Sequence, residues 1–167
     1  MHPPRPTRLT VAALAGAMLS SVALVPSAQA QSRAEMEGRS ATIAERYLAV
    51  WSASGELSVA GVPYVYGPRI KFYGRTLSQS ALEAEKRRAL RQWPVRRYAH
   101  RPGTLKVVCN VARQRCAATS TIDFSVANPR TGASRRGSAG FDLGISFAEA
   151  RPVILYEGGT VRGGRRL

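Results

Sequence analysis

Residues 85–98, EKRRALRQWPVRRY, place six arginines and lysines among fourteen positions, a density that could hold an anionic partner or supply a cation to a buried site. Laid on a helix, Arg87, Arg88 and Arg91 fall away from the apolar stripe formed by Leu82, Ala89, Leu90 and Trp93, so they form a solvated face. Lys86 differs, because it lies four residues after Leu82 and three before Ala89. An ammonium turned inward without an anion costs several kcal/mol or gives up its proton. Lys86 therefore either faces a polar pocket that accepts an acidic or carbonyl-bearing ligand, or snorkels to solvent along Trp93 while the aromatic residues fill the core. Under the first reading the candidate pocket is Lys86, Tyr66, Tyr98, Trp51 and Trp93, with Tyr73 as a further wall; the filled core is the simpler reading, and both stay open.

Other chemistries find less support. A Ser-His-acid arrangement has one histidine to draw on outside the first thirty residues, His100, and no G-x-S-x-G elbow. Cys109 and Cys116, separated by NVARQR, would need further Cys or His ligands to hold a metal, so no metal site and no cofactor is expected. The stretch GGTVRGG follows a strand pattern but opens no helix, which removes the usual setting of a phosphate-cradling loop.

The compartment is written at the start of the chain. Residues 1–30 carry Arg5 and Arg8, an apolar stretch over 9–25 and the small-x-small triplet Ala28-Gln29-Ala30, the pattern of a secretory signal cleaved after Ala30. Ser20, Ser21 and Pro26 argue against a retained membrane anchor. The protein is thus expected to be periplasmic or extracellular, with Cys109 and Cys116 joined as a disulfide. Removing the two arginines of the signal takes the formal charge from +15 to +13. Such an excess favours anionic partners, and outside the cell the anionic envelope surface is the expected one rather than nucleic acid.

The elements that must position these residues follow from periodicity. A polar stretch over 31–39 predicts a disordered linker, and a single domain is expected over 40–161, followed by a flexible basic tail over 162–167. Thr42 with Glu45 forms a capping-box pattern ahead of Ile43, Tyr47, Val50 and Trp51, which share a helical face, with Gly55 as a stop. Val59, Val62 and Tyr66 predict a short irregular helix around Pro63, and RIKFYG a strand. A clearer helix has Ser80 and Glu83 as a second capping box, a Glu83–Arg87 pair at i,i+4, and Pro94 just past its end. Beyond Pro94 the period changes to two. Pairing Cys109 with Cys116 also sets Val107 opposite Ala118 and Leu105 opposite Ser120, so one hairpin register satisfies the disulfide and the apolar face together. A polar connection, NPRTGASRRG, then leads to a strand with Phe141, Leu143, Ile145 and Phe147 on one side, and VILYEGG makes the last strand. Helices followed by strands imply an α+β domain with the helices on one face of a curved antiparallel sheet.

This order of elements, with FYGR at 72–75, EKRR at 85–88, QWP at 92–94 and RRY at 96–98, resembles the nuclear transport factor 2-like superfamily, which includes SnoaL-like and ketosteroid isomerase-like domains, and more narrowly its secreted bacterial members of unassigned activity. The resemblance spans about residues 40–160. It implies a cystatin-like cone, a bent sheet wrapped around N-terminal helices, whose pocket is catalytic, ligand-binding or filled, and it implies homodimers built through the sheet face. In the isomerase-like members a strand carboxylate acts as base. Parity places the two aspartates, Asp123 and Asp142, on the outer face, where arginines would pair with them, so no catalytic residue is carried across. The resulting reading is a secreted, non-catalytic module that binds a small molecule or a protein partner. Two alternatives stand beside it: an isomerase- or hydrolase-like enzyme using Tyr98 or His100, and a basic protein adhering to the envelope.

Overall fold

In α1 (Arg33–Ser52), Met36, Ser40, Ala44, Leu48 and Trp51 are buried, a repeat of four and three residues that lays one continuous stripe against the sheet. The computed structural model describes residues 31–53 and 57–162; the predicted secretory signal and most of the predicted basic tail lie outside these. Helix α1 begins well inside the stretch expected to be a linker. Ser32 is its N-cap and accepts a hydrogen bond from the Glu35 amide, whereas Thr42 donates to the Gly38 carbonyl within the helix. The early start has a packing reason: Met36 and Ser40, which precede the periodic run read from sequence, are almost fully buried. Val50, expected on the inner face, is exposed.

Two short helical turns follow, α2 (Leu57–Ala60) and α3 (Val62–Val65), the second accommodating Pro63 in its first turn, where a missing N–H is harmless. Val59, Val62 and Tyr66 are all buried, as their spacing predicts. Strand β1 (Tyr66–Phe72) turns at Tyr73 and Gly74, both with positive φ, into β2 (Arg75–Ser78). The cap of α4 (Gln79–Gln92) is Ser78, which accepts from the Ala81 amide, so the helix starts earlier than the Ser80 pattern suggests. Glu83 and Arg87 pair at 3.5 Å, and Trp93 ends the helix ahead of Pro94.

Strands β3 (Val95–His100), β4 (Lys106–Asn110), β5 (Arg115–Asn128), β6 (Ala133–Ser146), β7 (Val153–Gly158) and β8 (Val161–Arg162) complete one sheet in the order β2-β1-β7-β6-β5-β3, with β4 on β5 and β8 on β6. Cys109 faces Cys116 and Val107 faces Ala118 in the register expected, and the two cysteines are disulfide-bonded. Two features differ from expectation. The segment read as a long polar connection is mostly strand: β5 and β6 pair from Arg115↔Ser146 to Asn128↔Ala133, leaving only residues 129–132 as the turn. Polar side chains do not prevent pairing there, because that end of the ribbon is largely exposed. The sheet is also not wholly antiparallel, since β1 and β7 run parallel. The fold is α+β, with the helices on the concave side of a curved, mostly antiparallel sheet.

Candidate functional site

Lys86 projects from α4 one turn beyond the buried Leu82 and is itself only 7% exposed. Its Nζ donates to Glu157 Oε1 at 2.6 Å and to the Tyr47 hydroxyl at 2.9 Å, while the Tyr66 hydroxyl donates to Glu157 Oε2 at 2.6 Å. The ammonium also lies 4.4 Å from the Trp51 ring centroid and 5.2 Å from that of Phe72, where the ring quadrupoles favour a cation. Lys86 therefore neither snorkels along Trp93 nor waits for a ligand to supply its anion. Its counter-charge is internal.

Glu157 is the residue that sequence reasoning missed. Alternation along VILYEGG from the buried Ile154 would put Tyr156 and Gly158 inside and Glu157 outside. The ladder slips, however: Ile145 faces Ile154, but Gly144 faces Tyr156, so Leu155 is an extra residue in a bulge that inverts the faces beyond it. The bulge presses Tyr156 onto its neighbour so closely that a Cβ on Gly144 would sit 2.8 Å from that of Tyr156. Beyond it Glu157 turns inward and is 4% exposed. The one available signal was the acid itself, since a glutamate among Val, Ile, Leu and Tyr in a terminal strand needs either solvent or a partner.

Above the pair lies a cavity of about 320 Å³, bounded by Tyr47 and Trp51 from α1, Phe72 and Tyr73 from the β1–β2 hairpin, Tyr98 and Phe141 from the sheet, and Lys86 with Glu157 at the floor. Of the sequence candidates, Lys86, Tyr98, Trp51 and Tyr73 line this cavity. Tyr66 reaches it through its hydroxyl on Glu157, while its ring borders a different space. Trp93 lies outside: its ring stacks under the guanidinium of Arg135 at 5.3 Å, so it is removed from the candidate set. Arg96, unmarked by sequence, is buried in the wall of the same cavity and spends its guanidinium on backbone carbonyls. It donates to those of Trp51 (3.0 Å), Ala53 (2.7 Å) and Trp93 (2.7 Å), closing the C-termini of α1 and α4 together. Glu85, held by Arg75 and Arg88, marks the rim.

The electrostatics follow from burial. Desolvation and then the Glu157 charge raise Tyr47 and Tyr66 well above the usual phenol value, and burial raises Tyr73 and Tyr98 in the same direction. All four stay neutral hydrogen-bonding groups at ordinary pH. Burial pushes Lys86 down against the opposing pull of Glu157. Whichever partner holds the proton, the pair carries no net charge, and both carboxylate oxygens are already engaged by donors.

The other candidates lie elsewhere. Asp123 is on the outer face, where Arg101 Nη2 and Ser138 Oγ each donate to it at 2.6 Å, and Asp142 shares its face. His100, carried in the enzyme alternative, does not border the cavity. Its Nδ1 is 2.7 Å from Ser120 Oγ, its ring meets Phe141 edge-on, and its Nε2 is buried without a partner among the described residues.

Neither a protein-family model nor a curated protein matches the sequence. Solved structures do match. The Kfla4162 protein from Kribbella flavida aligns with TM-score 0.66 at 12% identity, over 79% of this chain and 95% of that one. An NTF2-like superfamily protein from Salmonella enterica gives 0.65 at 7%, over 78% and 93%. A protein of cystatin-like fold from Caulobacter vibrioides gives 0.58 at 14%, over 76% and 91%. At such identities the likeness establishes the fold, and this chain has the NTF2-like, cystatin-like cone.

Proposed function

We propose that this NTF2-like cone is a secreted, non-catalytic module that binds a small uncharged molecule bearing a flat ring and a carbonyl or hydroxyl oxygen. The mutually neutralised Lys86–Glu157 pair at the floor of an aromatic cavity carries the reading. A floor without net charge offers little to compensate the desolvation of an ionic ligand, which replaces the acidic ligand expected from Lys86 alone. Trp51, Phe72, Tyr98 and Phe141 supply ring faces, and the Lys86–tyrosine cluster supplies hydrogen-bonding groups. The volume lies near the lower end of the range for ligand pockets, roughly 300–1,000 Å³. Secretion is supported by the leader pattern and by the Cys109–Cys116 disulfide.

The test is a thermal-shift series on the purified protein with uncharged aromatic ketones, the matching carboxylates and the matching ammonium compounds. Ketones should stabilise, by about 2.7 kcal/mol at a hundred times the dissociation constant, and the charged series should not. Equal or better stabilisation by the carboxylates would refute the neutral floor. One observation favours a second reading, an enzyme of the isomerase type: Glu157 brings a carboxylate to the cavity floor. If Glu157 exchanges protons with a bound ketone, NMR in heavy water should show deuterium entering next to the carbonyl, and Glu157→Gln should abolish it.

A further inference from the structure

A second cavity, of about 340 Å³, lies on the opposite side of the Tyr47–Trp51–Tyr66 wall, between α1, α3 and the start of β7. Its lining has a different chemistry. Ile43 and Val50 come from α1, Val62 and Val65 from α3, Ile145 from β6 and Ile154 from β7. The hydroxyls of Tyr47 and Tyr66 are engaged by Lys86 and Glu157 in the other cavity, so the shared wall commits them away from this one. Among the described residues no acidic side chain lines it. Among the described residues the charged side chain at its border is Arg46, exposed on α1, and Arg151 lies nearby with its guanidinium 5.3 Å over the Tyr64 ring and donating to the Pro63 carbonyl.

The surroundings are unusually apolar for a surface. Val50, Tyr64 and Val65, at 45%, 66% and 41% exposure, all border this opening and account for three of the seven exposed large hydrophobics among the described residues. Single exposed apolar residues need no explanation, but a cluster around a concavity marks a contact site. Apart from Arg46 and Tyr64 at the border, a polar ligand would meet mainly apolar side chains on these walls. A purely apolar one would leave the Arg46 charge unused.

We propose that this cavity is a separate binding site for an anionic amphiphile with a single alkyl chain, the chain lying against Ile43, Val50, Tyr64 and Val65 over a floor of Val62, Ile145 and Ile154, and the carboxylate at Arg46. The site does not depend on the ring-ketone reading of the first cavity.

Isothermal titration of the purified protein with decanoate, with decan-1-ol and decylamine as controls, tests it. Decanoate should bind most tightly. Arg46→Glu should weaken decanoate about fivefold to tenfold while leaving decanol nearly unchanged. Val50→Trp, which fills the mouth from an exposed helical position, should abolish both, and Val65→Trp repeats that test should the first substitution disturb α1. All three variants should keep the wild-type thermal response to the aromatic ketones. The proposal is overturned if wild type fails to bind decanoate, or if decylamine binds as well as decanoate. It is equally overturned if the filled variants retain wild-type affinity, or if Tyr98→Trp in the first cavity removes decanoate binding while Val50→Trp does not.

Discussion

Replacing Lys86 with methionine keeps the stem and removes the charge, and the structure determines what must follow. Lys86 and Glu157 have side chains 9% and 6% exposed and meet at 2.6 Å. Removing one member of such a pair leaves the other buried and uncompensated, a loss of about 3–5 kcal/mol. In a protein of this size that lowers Tm by roughly 10–20 °C. The pH dependence separates this cause from ordinary packing loss. In Lys86→Met the isolated Glu157 is driven toward its protonated form, so its folded pKa rises above the unfolded value of about 4.3. The deficit should therefore be smallest below about pH 4 and grow as pH rises from there. In Glu157→Gln the isolated Lys86, already pushed down by burial, is pushed down further. That deficit should be largest at neutral pH and shrink as pH climbs toward the unfolded lysine value of about 10.4. The double variant Lys86→Met/Glu157→Gln should recover most of the loss, because no buried charge remains. Urea unfolding of the four proteins at pH 4, 7 and 9 reads all of this. Single variants within about 1 kcal/mol of wild type, or two singles with the same pH trend, would refute a buried, mutually dependent pair.

Arg96→Met should cost about 2–3 kcal/mol in urea unfolding, with faster amide exchange at the end of α1, and Arg96→Lys should restore only part because an ammonium cannot span carbonyls from two helix ends. Reducing the Cys109–Cys116 bond, or replacing both cysteines with serine, should cost about 2–2.5 kcal/mol by the loop-closure estimate for so short a ring, read as a shift of the denaturation midpoint. Tyr73 holds a φ of 44° in the β1–β2 turn, where Asn is easily accommodated. Tyr73→Asn should stabilise the empty protein by about 0.5–1 kcal/mol while weakening the ketone response, since the ring borders the cavity. Burial lowers the pKa of His100, so its contribution to stability is complete above about pH 6.5 and lost as pH falls through the lowered folded value. Replacing His100 with Asn should flatten the wild-type curve below that point, measured by urea unfolding at a series of pH values.

Much of this molecule follows from local rules acting on neighbouring residues. The disulfide register, the inward row Phe141, Leu143, Ile145 and Phe147, the helix ending at Trp93 before Pro94, and the outward aspartates all depend on periods of two or 3.6 and on proline's missing N–H. Such signals need no knowledge of the rest of the chain. The two serine caps were less legible, because Thr42 within α1 and Ser80 within α4 make the same local pattern as the true caps Ser32 and Ser78, and packing decides where each helix starts. Burial of Met36 and Ser40 pulled α1 back to Ser32. The site itself was legible only in part. Lys86 was conspicuous as a charge on an apolar stripe, and Trp51 and Tyr98 as aromatics within reach of it. Trp93 looked equivalent, but it turned to stack with Arg135 from a strand some forty residues away. Glu157 could not be placed by alternation, since one extra residue at Leu155 reverses every face after it, and a bulge arises from how β7 fits between β1 and β6 rather than from its own residues. That single inversion brings a carboxylate to an ammonium 71 positions away in sequence. The sequence determined that one charge had to be reconciled with an apolar core; the fit of three strands decided that a glutamate, rather than solvent or a ligand, would do it.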